Sequence, residues 1–222
     1  MLGVIFDWDG VVIDSADLHE KSWEILANEA GFTLPPDHFE LGFGKRNETI
    51  IGEMLCWSED RAEILRLGNR KEEIYRELGY DRGISLVPGS KEFIYMLHEN
   101  SIPMTIGTST ERKNIDLAIK QNQLEGFFIG AVCSEDVKRG KPDPEVFLKA
   151  AELMDLPSQY CVVLEDSIHG IEAAYSANMI PVGISTTNPK DELFDKGAKL
   201  VVERLDEINL SILHDLVKSM RR

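Results

Sequence analysis

The chain has 222 residues, 43% hydrophobic and 28% charged, which excludes a disordered or collagen-like chain and suits one large domain or a core carrying a smaller insert. Its 39 acidic against 24 basic residues give a formal charge of -15, a field that repels polyanions and anionic bilayers. Neither a nucleic acid nor a membrane is therefore expected as partner, and an anionic substrate needs a local cation or a metal ion.

From the N-terminus, residues 2–6 form a short apolar run that reads as a buried strand. It ends in Asp7-Trp8-Asp9-Gly10, two carboxylates two residues apart on a turn that Gly10 is free to bend; the Trp8 ring is expected outward or under a cap. Residues 15–85 then show helical patterns at 17–30, 47–55 and 59–78 without a convincing strand, and Pro88-Gly89 marks the far break. Beyond it, apolar runs at 104–107, 128–132, 161–164, 180–184 and 200–202 alternate with helical patterns near 89–101, 111–123, 143–154, 167–178, 189–196 and 208–220. Strand then helix, repeated, predicts an α/β fold: a doubly wound, Rossmann-like parallel sheet. The expected organisation is a core domain of residues 1–14 and 86–222 with an inserted all-helical cap domain over 15–85. Lys218, Arg221 and Arg222 suit the C-terminal end of the last helix dipole.

In open parallel sheets ligands bind beyond the carboxyl ends of the strands, so the residues just after each strand carry the argument. After the second core strand come Thr108, Ser109 and Thr110, a helix cap whose hydroxyls and N–H groups also suit a phosphate. After the third, Lys141 stands between Gly140 and Pro142, and after the fourth come Glu165-Asp166-Ser167, then Gly170. Taken singly, each also reads as a turn, a helix cap or a solvated loop. Together they bring Asp7, Asp9, Asp166 and Glu165 to one sheet edge, which is untenable without cations. A hard dication with oxygen ligands, Mg2+, together with Lys141 resolves that repulsion.

Asp7-x-Asp9-Gly10-Val11, Thr108, Lys141-Pro142 and Leu164-Glu165-Asp166-Ser167 with Gly170, in that order, resemble the four motifs of the haloacid dehalogenase (HAD) superfamily. The resemblance covers essentially the whole chain, and the insert is similar to the helical cap of the branch containing β-phosphoglucomutase and many sugar-phosphate phosphatases. It implies that Asp7 is a nucleophile forming an aspartyl-phosphate and touching the metal. Asp9 would give a proton to the leaving oxygen, take one from the incoming water or alcohol, and lend its backbone carbonyl to the Mg2+ shell. Thr108, Ser109 and Lys141 would hold the phosphoryl oxygens, and Asp166 would bind the metal with Glu165 directly or through water. Asp9 also sets aside carbon–halogen cleavage, which in this superfamily needs neither that acid/base nor the metal.

In the cap, His19 ahead of Trp23 corresponds in place to the mutase's hinge histidine. Arg46 and Thr49 fall near its cap arginine and serine, and Arg76 near its cap lysine; with Lys45 these complete the candidate substrate contacts. Lys45, Arg46 and Arg76 read equally as solvated surface cations. The segment 41–46 departs from the mutase, placing Gly42 and Phe43 where its pattern has Lys followed by Gly. A second resemblance, carried by residues 55–58, 70–74, 134–137 and 139–144, is to plant-type phosphatases of riboflavin biosynthesis, which implies hydrolysis of a ribitylaminouracil phosphate. The function expected is thus an Mg2+-dependent phosphatase of a small phosphorylated metabolite, as a monomer or weak dimer. The alternatives are a phosphomutase such as β-phosphoglucomutase and a non-catalytic phospho-ligand binding domain on the same scaffold. Cys56, Cys133 and Cys161 form no disulfide or metal spacing, and no export leader is visible at the start, so a cytoplasmic location is expected.

Overall fold

Six strands, all parallel, make the central sheet: β1 Gly3–Phe6, β4 Met104–Gly107, β5 Ala131–Val132, β6 Cys161–Glu165, β7 Ile180–Ile184 and β8 Leu200–Val202, in the order β5-β4-β1-β6-β7-β8. This is a computed structural model, and it describes residues 1–220; the closing Arg221 and Arg222 assigned to the helix dipole lie outside the described residues. β1 sits in the middle, with Ile5 opposite Thr105 on one side and Val163 on the other. All four of its residues are buried, as is every residue of β4, β6 and β7, because helices cover both faces.

On one face Val4, Phe6, Ile106 and Leu164 join a core reached by α5 (Ser90–Glu99), α6 (Arg112–Asn122) and α10 (Leu210–Ser219). On the other, Ile5 and Val163 pack with Phe147 and Ala150 of α7 (Glu145–Leu153) and Ala173 and Ala174 of α8 (Ile168–Ser176), while α9 (Lys190–Asp195) buries Leu193 beside Val201. The doubly wound α/β reading therefore holds. The run at 128–132 is shorter as a strand than expected. Phe128 turns its ring edge-on to Phe6 and Trp8, Ile129 is exposed, and only Ala131 and Val132 are in regular pairing at this sheet edge.

Between β2 (Ile13–Asp14) and β3 (Ser85–Leu86) the chain is helical: α1 (Ala16–Ala30), α2 (His38–Gly42), α3 (Asn47–Thr49), a π-helical turn at Ile50–Met54, and α4 (Arg61–Arg82). These helices have their own apolar centre of Trp23, Leu26, Ile50, Ile51, Leu67 and Ile74, built where α1 packs along α4. Asp60 caps α4 by accepting the Ala62 N–H at 3.0 Å. Sequence periodicity does not reveal β2 and β3, which pair antiparallel through only Ile13 with Leu86 and Asp14 with Ser85. The short α2 is likewise unanticipated. Among the described residues no helix is long and apolar enough to cross a membrane.

Candidate active site

The carboxyl ends of β1, β4 and β6 and the loop after β5 converge under the helical insert. Asp7 follows β1 directly, its N–H bonded to Leu164 O at 2.9 Å, and the chain then reverses because Trp8 O accepts from both Val12 N (2.9 Å) and Ile13 N (3.1 Å). The Trp8 ring is wholly buried in the core against Phe128, and so does not point outward. Gly10 has φ +75°, and a Cβ there would stand 2.0 Å from Asp166 Oδ2, so only glycine lets the turn approach the acid after β6. Gly170 plays the same part in α8, since its Cβ would fall 1.8 Å from Glu165 Cδ.

One oxygen each from Asp7, Glu165 and Asp166 lies within 4.8 Å of the others, and all three residues are buried. Lys141 reaches in with Nζ 2.6 Å from Asp7 Oδ1 and 2.5 Å from Glu165 Oε1. Glu165 Oε2 accepts from Ser167 N (2.8 Å) and Oγ (2.9 Å), while Asp166 Oδ2 accepts from the Thr187 hydroxyl. One ammonium does not neutralise three buried carboxylates. Burial first, then the charges of Glu165 and Asp9, push the Asp7 carboxyl up to about 7 against the pull of Lys141. Burial and the charges of Glu165 and Asp7 raise Asp166 well above the usual range. Burial works against the Lys141 charge, but Asp7 and Glu165 outweigh it and hold the ammonium above its ordinary value. Hard oxygen donors with uncompensated negative charge fit a divalent cation of the Mg2+ kind.

Asp9 points elsewhere. Its Oδ1 accepts from Ser15 Oγ at 2.5 Å and from His19 Nε2 at 3.0 Å, and its Oδ2 from the Thr110 hydroxyl. Burial raises its pKa, but the His19 attraction and the hydrogen bonds from His19, Ser15 and Thr110 prevail and hold it well below the usual range. Its carboxylate is thus separate from the cluster, which leaves its backbone carbonyl as its route to a metal. The other His19 nitrogen, Nδ1, lies 2.6 Å from Lys71 Nζ. Tyr75 stacks on the His19 ring at 4.3 Å. Glu72 accepts from Lys71 (2.9 Å), Asn47 (2.7 Å) and Asn114 (2.6 Å), tying the insert to α6.

Thr108 is buried, with its N–H on Val132 O at 3.0 Å and its Oγ1 accepting from Thr110 N at 3.1 Å. Thr108, Ser109 and Lys141 line one cavity with Asp7, Asp9 and Asp166, and the insert closes it with Trp23, Phe39 and Phe43 among others. Of the cap candidates, His19, Lys45 and Arg46 line this cavity. Lys45 Nζ lies 3.8 Å from Met54 Sδ, whereas the Arg46 guanidinium donates to core carbonyls. Thr49 and Arg76 lie outside the lining: Arg76 is drawn to Glu111 and to Asn114 Oδ1 (2.9 Å), pinning α4 to the core. Sequence reasoning missed Ser15, Lys71, Glu72 and Tyr75 as site residues. It placed Thr110 in a hydroxyl run suited to phosphate, where the structure sets its hydroxyl on Asp9, and the run 70–74 entered only through a family resemblance that gave Lys71 and Glu72 no role.

A family model described as haloacid dehalogenase-like hydrolase matches residues 4–184. The chloroplastic 5-amino-6-(5-phospho-D-ribitylamino)uracil phosphatase of Arabidopsis thaliana is 42% identical over 217 residues, which are 97% of this chain and 57% of that protein. The chain thus spans little more than half the length of that relative. The β-phosphoglucomutase of Bacillus subtilis (strain 168) is 29% identical over 221 residues, covering 97% of this chain and 95% of that one. Among solved structures, a HAD hydrolase of family IA, variant 3, from Entamoeba histolytica superposes with a TM-score of 0.88 at 30% identity, over 98% of this chain and all of that one.

Proposed function

The chain belongs to the haloacid dehalogenase-like hydrolases, in their β-phosphoglucomutase-like branch, and from that premise we propose that it is an Mg2+-dependent phosphatase of a small phosphorylated metabolite. The observation that carries this reading is the division of labour between Asp7 and Asp9. Asp7 faces Lys141 and the acidic cluster, while Asp9 faces the hydrogen-bond donors Ser15, His19 and Thr110. An Asp7 oxygen attacks phosphorus in line, the bond to the leaving oxygen breaks, and that oxygen takes a proton from Asp9. Water then attacks the Asp7 phosphoryl group, Asp9 removes a proton from it, and phosphate departs with Asp7 restored. Held ionised by its partners, Asp9 is set for this second step; for the first it must gain a proton as substrate arrives.

Thr108, Ser109 and Lys141 are placed to meet the phosphoryl oxygens. Asp7 and Asp166, with the Asp9 carbonyl and with Glu165 behind them, would hold Mg2+, which supplies Lewis-acid neutralisation of phosphoryl charge. Residues 15–85 would serve as the cap that shuts water and large phosphoesters out, over a core of 1–14 and 86–222.

Hydrolysis is favoured over isomerisation because a mutase must also hold a second phosphate, and the two cap guanidiniums named for that work, Arg46 and Arg76, are bonded to protein acceptors. The name of the plant relative points to a phosphorylated ribitylaminouracil, and the Trp23, Phe39 and Phe43 rings suit a planar leaving group of that kind. A phosphomutase is the second reading, supported by the Bacillus relative and by Lys45, which lines the cavity with its Nζ on Met54 Sδ. A non-catalytic phospho-ligand domain would have no use for the separate proton site at Asp9.

Phosphorus NMR with Mg2+ and a metabolite panel tests these readings, with β-glucose 1-phosphate plus bisphosphate primer and ribitylaminouracil phosphate included. Accumulating inorganic phosphate, absent in Asp7→Asn, is the expected result. No release from any ester would overturn it, and conversion of the 1-phosphate to the 6-phosphate with little release would make the protein a mutase.

A further inference from the structure

Arg46 leaves the insert just before α3 and crosses to the core loop that leads to Lys141. Its Nη2 donates to Ser134 O and to Val137 O (3.0 Å), and its Nη1 to Lys138 O (3.4 Å). Its stem lies on the next turn of the same loop, for a Cβ on Gly140 would be 3.0 Å from Arg46 Cδ. From the core side, Glu145 Oε2 accepts the Lys138 and Arg139 N–H groups at 3.0 and 3.1 Å. The segment is thus held between a guanidinium of the insert and a carboxylate of α7. Lys141 follows immediately, with its buried Nζ on Asp7 and Glu165.

We infer that Arg46 is a positioning residue that couples seating of the cap to placement of Lys141, and that it is not a ligand for a substrate phosphate. A planar fork satisfies diverging carbonyls that a lysine's point charge does not. Binding a phosphate would strip those carbonyls of their donor. Opening the cap would withdraw the guanidinium, free the loop and move Lys141 off Asp7, so that the phosphoryl site is complete only when the cap is seated. The inference rests on the phosphoryl-transfer reading for the part Lys141 plays, while the holding of the loop stands apart from it.

The test compares wild type, Arg46→Ala and Arg46→Lys by turnover of acetyl phosphate, a probe too small to need cap contacts, and by amide hydrogen exchange over 134–141 in the substrate-free protein. Thermal melts establish that the variants fold. Both variants are expected to lose about ten- to a hundredfold in kcat with KM changed less than about threefold. The Lys138 and Arg139 amides should exchange faster in both. Unchanged kcat, with or without faster exchange, would overturn the coupling. So would a KM for the metabolite substrate raised tenfold with exchange unchanged, which would make Arg46 a substrate ligand. If wild type cleaves no phosphate ester, the phosphatase reading fails and exchange alone decides whether Arg46 holds the loop.

Discussion

Asp7 and Asp9 leave the same strand, yet burial among acids pushes the first up to about 7 while His19, Ser15 and Thr110 keep the second well below the carboxylate range. A carboxyl raised in the folded state opposes folding once the pH passes its unfolded value of 3.8, and the penalty grows until about pH 7. Asparagine is nearly isosteric and carries no charge, so metal-free Asp7→Asn is expected to be more stable than metal-free wild type at pH 8. The gap, up to about 4 kcal/mol, should close as the pH falls toward 4. Denaturant melts across that range check it, and a gap independent of pH would mean that Lys141 already neutralises Asp7. Gly170 allows a separate test of the cluster. Alanine there would force the fully buried Glu165 carboxyl off Lys141, so Gly170→Ala should lose at least about tenfold in phosphate release. Turnover within twofold of wild type would show that Glu165 has somewhere else to go.

Along α4, Lys71, Glu72, Tyr75 and Arg76 share the face turned to α1 and the core, through the one- and four-residue spacings of a helix. Lys71 meets His19 and Glu72 meets Asn47 within the insert, while Glu72 and Arg76 both meet Asn114 of α6, so this one element ties the insert to the core. Burial raises the Glu72 pKa, but Lys71, His19 and Asn47 overcome it and lower it to about 2. Its stabilising effect is therefore complete above the unfolded value of 4.5 and fades as the pH falls through about 2. Glu72→Gln is expected to cost about 2–3 kcal/mol at pH 7, with the deficit shrinking below pH 4. An equal deficit at pH 7 and pH 2.5 would assign the loss to packing. None of this face was legible in the sequence: residues 70–77 hold six charges, and docking alone decides which are buried. The sheet was legible because a strand covered on both sides is apolar through its buried length, as in β1, β7 and residues 161–164 of β6. Asp7, Thr108 and Asp166 were legible because they follow such strands closely, and Lys141, farther past β5, because it stands between Gly140 and Pro142. β2 and β3 offer too few residues for any period, and Phe128 satisfied a strand pattern while its ring packed sideways onto Trp8.

At the scale of the molecule, a net charge of -15 surrounds a buried acidic cluster, and the two make different demands on ions. The diffuse surface charge is relieved by any salt, through screening over about 10 Å at 0.1 M. The cluster needs a cation small enough to sit among Asp7, Glu165 and Asp166, because Lys141 leaves it under-neutralised. Mg2+ at a hundred times its dissociation constant should add about 2.7 kcal/mol of stability. In a chain of this length that is a rise in Tm of roughly 5–10 °C. KCl at matched ionic strength supplies the screening alone and should give a smaller rise. Asp166→Asn removes one of the three carboxylates with little change in shape, so its melt should respond to KCl as wild type does and lose most of the added response to Mg2+. Equal Mg2+ responses in wild type and variant would place the ion's effect on the surface field instead of the cluster, and the metal-dependent step of the proposed hydrolysis would lose its seat.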